Sequence, residues 1–149
     1  MRPGVVPRYE VLDDEECLIL LRREPVGRIA LTSGALPVVL PVNFTVDDAT
    51  LVFATEPGLK LDAARAGVVA CLEIDGFDRW AHSGWSVLAT GRMQEITDPA
   101  RRDRARQLPL SPWAAPNAGH YVELSIELLS GRRINRDGMN QPLGPRGES

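Results

Sequence analysis

The sequence predicts a mainly β domain, with short peripheral helices packed around an antiparallel barrel that closes or half-closes. Three observations carry this reading. Apolar residues alternate at a spacing of two in several separate runs, as strands with one buried face require. Short turn-forming pairs such as Ser33-Gly34 and Asp47-Asp48 join neighbouring runs, which favours hairpins and antiparallel pairing. A chain of 149 residues with 44% hydrophobic content makes one domain with a substantial core. A sheet of about six or seven strands in so small a domain hides its edges by curling.

The elements follow in order. Asp13, Asp14, Glu15 and Glu16 precede CLILLRRE, so acid at one end and arginine at the other suit a helix dipole over 14–24. Pro25 stops that helix, and 26–32 (VGRIALT) is a β-type run. Residues 37–46 alternate as one strand. Val38, Leu40, Val42, Phe44 and Val46 share one face; Pro37, Val39, Pro41, Asn43 and Thr45 share the other. Residues 50–55 return as a second strand, and 58–66 (GLKLDAARA) form a helix closed by Gly67.

Residues 68–75 form the next strand, with Val68, Ala70, Leu72 and Ile74 on one face. A loop at 76–83 leads to a long strand at 84–96, with Trp85, Val87, Ala89, Gly91 and Met93 in one row. Asp98-Pro99 opens a short arginine-rich helix over 99–107, and a proline-rich loop spans 108–119. Alternation resumes over 120–128, and GRRIN at 131–135 adds a last short strand. Residues 1–136 are expected to form the domain. Residues 137–149, polar and rich in Gly and Pro, read as a flexible tail.

Composition narrows the function. The formal net charge is −3 and no long run of Lys or Arg occurs, which argues against nucleic-acid binding. Cys17 and Cys71 form no CxxC motif, so neither a zinc site nor a disulfide framework is expected. The N-terminal segment lacks an apolar signal-type run, and CLILL at 17–21 is too short to span a bilayer. A reducing cytoplasm is the expected location.

Several residues carry possible chemistry. Pro37 and Pro41 both lack a donor toward the same neighbour, which suits an edge strand or, alternatively, backbone at Pro41, Val42 and Asn43 that meets a ligand. In ATEPGLKL, Thr55 offers a hydroxyl, Gly58 a close backbone approach, and Lys60, the only lysine of the chain, a charge. That set suits a phosphate or, equally, a plain strand-to-helix turn. Trp85, flanked by Gly84 and Ser86, would stack on a ring or fill a core or interface. Trp113, in the proline-rich loop, is a lid or a plug against a partner subunit. His82 and His120 have no catalytic partner in a recognisable motif, and neither GxSxG nor HExxH occurs. Glu73 and Asp75 share a face with Cys71 and are placed to pair with arginines across the sheet. Arg101, Arg102, Arg104 and Arg106 read as a solvated helix face.

The order of the first helix, VGRIAL, PVNFTVDDATLVFAT, GLKL, VACLEID and GWSVLATGRM closely resembles the FMN-binding split-barrel proteins of the pyridoxamine 5′-phosphate oxidase-like superfamily. The nearest resemblance is to its short bacterial nitroimidazole-resistance and flavin-reductase-like branch, over about residues 9–135. The resemblance implies a six-stranded antiparallel split β-barrel and a homodimer with FMN in clefts at the subunit interface. It places Pro41, Val42, Asn43 and Phe44 along the isoalloxazine, with Val42 and Asn43 bonding the ring edge. It places Thr55, Lys60 and Leu61 at the phosphate end. Gly84, Trp85 and Ser86 would contribute from a neighbouring strand, and Trp113 from the other subunit. The implied activity is an FMN-dependent oxidoreductase that takes electrons from NADH or NADPH to a small organic substrate. The alternatives are an F420-dependent reductase or oxidase of the same fold, and a non-catalytic flavin-binding protein. Oxidation of pyridoxamine phosphate is not expected, because the phosphate position carries one lysine rather than an arginine-rich segment. No catalytic residue is assigned, and no metal is implied.

Overall fold

The computed structural model describes residues 8–110 and 119–135. Trp113 and the expected tail at 137–149 lie outside the described residues. The elements run β1 (Arg8–Leu12), α1 (Asp14–Arg23), β2 (Val26–Ser33), β3 (Leu36–Asn43), β4 (Thr45–Asp47), β5 (Thr50–Thr55), α2 (Leu59–Arg65), β6 (Val69–Asp78), β7 (Ser83–Glu95), α3 (Pro99–Gln107), β8 (His120–Ser125) and β9 (Leu128–Asn135). Every strand pair is antiparallel. The order is β3-β2-β6-β7-β8-β5-β4, with β9 beside β7 and β1 beside β9.

The mainly β class with packed helices is what the sequence predicts. The strand count is not: nine strands form the sheet rather than six, and it stays open, ending on β3 and β4. Three local causes explain the difference. The expected strand over 37–46 divides at Phe44, whose ring enters the core: residues up to Asn43 pair with β2 and residues from Thr45 pair with β5. The run over 120–128 divides because residues up to Ser125 pair with β5 while the chain from Leu128 pairs with β7, with Glu127 N–H donating to Thr90 O at 3.0 Å at the crossover. β1 carries little periodicity of its own and exists because residues 8–12 pair with β9.

The β6–β7 hairpin is longer than the sequence predicts. Gly76, Phe77 and Asp78 continue the ladder opposite Trp85, Gly84 and Ser83, leaving residues 79–82 as the turn. The Asp78 carboxylate accepts the Trp80 and Ala81 N–H groups at 2.9 and 3.1 Å, which closes that turn.

β7 organises the molecule. It runs beside β9 up to Thr90 and beside β8 from Met93 onward, so it belongs to both halves of the sheet. The change of partner falls at Gly91, where a Cβ would lie 1.5 Å from the Ser125 carbonyl oxygen. Only a residue without a side chain lets β8 approach there. The rows predicted to face inward do so: Ala70, Leu72 and Ile74 of β6 and Val87, Ala89 and Met93 of β7 are buried, with Leu51, Phe53, Val122 and Leu124 from the other half. On β3, Val42 is buried while Pro37, Val39 and Pro41 are exposed. β3 pairs only with β2, so its two prolines sit on an edge strand, where a missing donor costs no ladder bond.

Both longer helices start as the sequence predicts. Asp13 and Glu16 form a reciprocal capping box on α1, and the Asp98 side chain caps α3. The arginines of α3 are mostly exposed, as the sequence predicts, but they are also paired. Arg101 makes a two-pronged bond to the Glu123 carboxylate, Arg104 Nε reaches Asp47 Oδ2 at 3.1 Å, and Arg102 Nη2 reaches Gly119 O at 3.1 Å. They clamp α3 onto the β4–β5 half of the sheet. The Glu123 side chain is only 11% exposed, so Arg101→Ala leaves a nearly buried carboxylate unpaired. Because Arg101 itself is half exposed, the expected loss is about 2 kcal/mol rather than the full cost of a broken buried pair. Urea denaturation of the variant checks this, with Arg106→Ala, whose bond is a surface i,i+3 pair, as a near-neutral control.

Candidate functional site

The residues singled out in the sequence gather in two places. The first is the outer face of the sheet near its β3 edge. Arg28 on β2 stands opposite Pro41 on β3 and opposite Glu73 on β6, and Glu73 stands opposite Leu88 on β7. One cross-strand row therefore joins the edge strand to the middle of the sheet. Arg28 Nη1 lies 3.3 Å from Asp75 Oδ2 and 3.7 Å from Glu73 Oε1, which is the pairing across the sheet that the carboxylate spacing predicts. Ser86 is exposed on this same face, opposite Asp75 and Arg132. The Asn43 Oδ1 atom, at the end of β3, is buried and accepts no hydrogen bond among the described residues. Glu73 Oε1 is buried and without a hydrogen bond as well.

Desolvation, reinforced by the Asp75 carboxyl, pushes the Glu73 pKa up to about 7, against a smaller opposing pull from Arg28. The sign of the linkage follows. A carboxyl whose folded pKa lies above its unfolded value binds more protons when folded, so stability falls as pH rises from about 4.5 to about 7. Glu73→Gln removes that contribution. The variant is expected to lose less melting temperature than the wild type between pH 5 and pH 8; parallel curves would show that Glu73 ionises freely.

The second place is where α2 packs against β7 and β8. Thr55 ends β5 and is the cross-strand partner of His120, which begins β8. Thr55 is buried, and its hydroxyl donates to Glu56 O at 3.0 Å. Lys60 lies in the first turn of α2, half-buried, and makes no ion pair among the described residues. Glu95, at the end of β7, accepts from Arg65 Nε at 2.8 Å and lies 3.1 Å from His120 Nδ1. Arg65 foremost, then His120, holds the Glu95 carboxyl below its ordinary pKa. This cluster is not visible in the sequence. Residues 65, 95 and 120 share no local motif, and only the β7–β8 pairing and the packing of α2 on β7 bring them together.

Other singled-out residues sit differently. The side chains of Val42, Phe44 and Leu61 are core, at 5%, 3% and 1% exposure, so only their backbone groups are available to a ligand. Trp85 is partly buried against the core, on the opposite face from Ser86. Gly84 lies under Phe77, where a Cβ would meet the Phe77 Cβ at 3.1 Å. The Gly84-Trp85-Ser86 segment is separated from β3 by β2 and β6 within one chain.

An open-edged antiparallel sheet, its long shared strand and a helix between the fifth and sixth strands define a recognisable architecture. The profile described as pyridoxamine 5′-phosphate oxidase matches residues 13–133. The chain belongs to the pyridoxamine 5′-phosphate oxidase family. An uncharacterized protein of Mycobacterium tuberculosis is 35% identical over 131 residues, 85% of this chain and 86% of that protein. Among solved structures, the FAD binding protein from Mycobacterium smegmatis is 30% identical with a TM-score of 0.72, over 84% of this chain and 98% of its own. A FAD-binding protein from Mesorhizobium loti is 27% identical with a TM-score of 0.72, over 84% of this chain and 97% of its own. The family carries the split-barrel fold, and the resemblance drawn from PVNF, GLKL and GWS led to it. No helix among the described residues is long and apolar enough to cross a membrane.

Proposed function

We propose that this chain binds a flavin nucleotide and works as an oxidoreductase on a small organic molecule, with NADH or NADPH as electron donor. The observation that carries the reading is Asn43 Oδ1, a buried acceptor without a partner among the described residues, on an edge strand with no further strand beside it. A buried amide oxygen left unpaired costs free energy, and a ring N–H placed along β3 satisfies it. The residues therefore fit the flavin that the family implies. Backbone groups at Pro41, Val42 and Phe44 and the Asn43 amide would hold the ring. Lys60, a cation free of ion pairs among the described residues, would hold phosphate, with backbone at Thr55 and Leu61. The bound flavin supplies the electron-transfer chemistry; the protein orients it and limits access of water and substrate. This accounts for a family member without a nucleophile–base pair in its sequence motifs.

FMN is the cofactor the resemblance implies, while the two relatives named as FAD-binding favour FAD. The spectrum of the purified protein, followed by titration with FMN, FAD and F420, decides among them. A flavin spectrum with FMN or FAD uptake supports the reading. A colourless protein that takes up neither overturns it, and uptake of F420 alone moves it to the deazaflavin alternative. Oxidation of NADH or NADPH with nitro compounds or quinones then separates an oxidoreductase from a flavin-sequestering protein.

The same reading includes a homodimer. Val11, Val26, Val39, Val69, Leu88 and Leu128 are exposed. Val39, Val26, Val69, Leu88 and Leu128 share the sheet face of Arg28 and Glu73, an apolar surface with charges of both signs that suits a second copy. Sedimentation velocity tests this, and a monomer at micromolar concentration would count against it.

A further inference from the structure

Glu95 occupies an unusual position. It continues the inward row of β7 after Gly91 and Met93, yet it is a carboxylate, with its side chain 16% exposed. A carboxylate at the end of a core row needs partners, and it has two on different elements. One oxygen takes Arg65 at the last residue of α2, and the other faces His120, which stands opposite Thr55. Among the described residues no other side chain joins α2 to the strand residue that faces Thr55. Arg92 Nη1 also holds this end of α2, through the Gly67 carbonyl at 2.6 Å, but makes no contact toward β8 at His120.

α2 has seven residues and is too short to hold its own orientation. Its buried face is Leu61, Ala63 and Ala64, and two of these are alanines that give little purchase against sliding or rotation. Directional charge-assisted bonds fix what apolar contact leaves loose. Lys60 lies five residues before Arg65, about 7–8 Å along the helix axis. A small rotation of the helix at Arg65 therefore displaces the lysine at its other end.

We infer that Glu95 is a positioning residue of the nucleotide site, setting α2 so that Lys60 meets the phosphate beside Thr55. This rests on the flavin reading above and adds to it a residue that touches neither ring nor phosphate. The test uses FAD as probe and follows fluorescence quenching on titration, with a thermal melt of each variant alongside. Glu95→Gln keeps the shape and loses the charge; its FAD affinity is expected to fall about fivefold to tenfold. Glu95→Asp should recover part of that loss. In a Lys60→Ala background Glu95→Gln should add little, because both act through one contact.

Arg65→Ala changes an exposed residue and is expected to weaken FAD binding in the same direction, which keeps the test open if a Glu95 variant melts early. Unchanged affinity in both Glu95→Gln and Arg65→Ala, or losses from Glu95→Gln and Lys60→Ala that simply multiply, would overturn the assignment while leaving flavin binding intact. A wild-type protein that takes up neither FAD nor FMN overturns the flavin reading, and this inference falls with it.

Discussion

Gly91→Ala is expected to destabilise the protein by about 3 kcal/mol or more, the largest effect of any single methyl addition in the described residues. A Cβ at this position would stand 1.5 Å from the Ser125 carbonyl oxygen and 2.7 Å from its carbon. The obstacle is backbone, so no side-chain rotation relieves it. Something must move, and the candidates are all costly. Pushing β8 away strains the Met93–Leu124 pairing and the Arg92 N–H bond to Ser125 Oγ at 3.1 Å. Pushing β7 away disturbs its ladders to β6 and β9, the middle of the sheet. Urea denaturation should show a lower midpoint with a similar slope. Gly34→Ala supplies the contrast: nothing lies within 4 Å of its Cβ position, so its cost comes only from a φ of 60° and should be near 1 kcal/mol. Equal losses for the two would mean that β8 does not approach β7 as described.

Lys60→Ala is expected to weaken flavin-nucleotide binding by about tenfold to a hundredfold while shifting stability little. The lysine forms no ion pair among the described residues, so its removal strands no buried charge. A structural lysine would show the opposite pattern, with lost stability and unchanged affinity. The loss should also shrink as salt rises, since an accessible phosphate contact is screened. Titration at two ionic strengths checks both points. Unchanged affinity would place the phosphate elsewhere.

Much of the fold was legible because it depends on local pattern. The acidic start and arginine end of α1, the inward rows of β6 and β7, and the Asp98-Pro99 helix start are each written within a few consecutive residues. The paired prolines of β3 suited either an edge strand or backbone that meets a ligand, and the pairing of β3 with β2 alone gives the edge. The breaks at Phe44 and at Ile126–Glu127 were not legible. In both, the chain changes its strand partner, from β2 to β5 and from β5 to β7, while the alternation of side chains continues across the gap. β1 was missed because five residues with weak periodicity become a strand only when β9 offers its edge.

The candidate site divides the same way. PVNF and GLKL pointed to an edge strand and a lone lysine, and the family match upheld the resemblance built on them. The Arg65–Glu95–His120 cluster stayed hidden, because 30 and 25 residues separate its pairs. His120 read as the start of a strand with no catalytic partner, and the β5–β8 register sets it opposite Thr55.

By itself, then, the sequence determined the fold class and the family, because periodicity, helix ends and short motifs are local properties. Only the tertiary structure decided where β7 changes partners, that Val42, Phe44 and Leu61 turn inward, and that one carboxylate holds α2 to β8. Those are consequences of strand register, which is set by contacts between residues far apart in the chain.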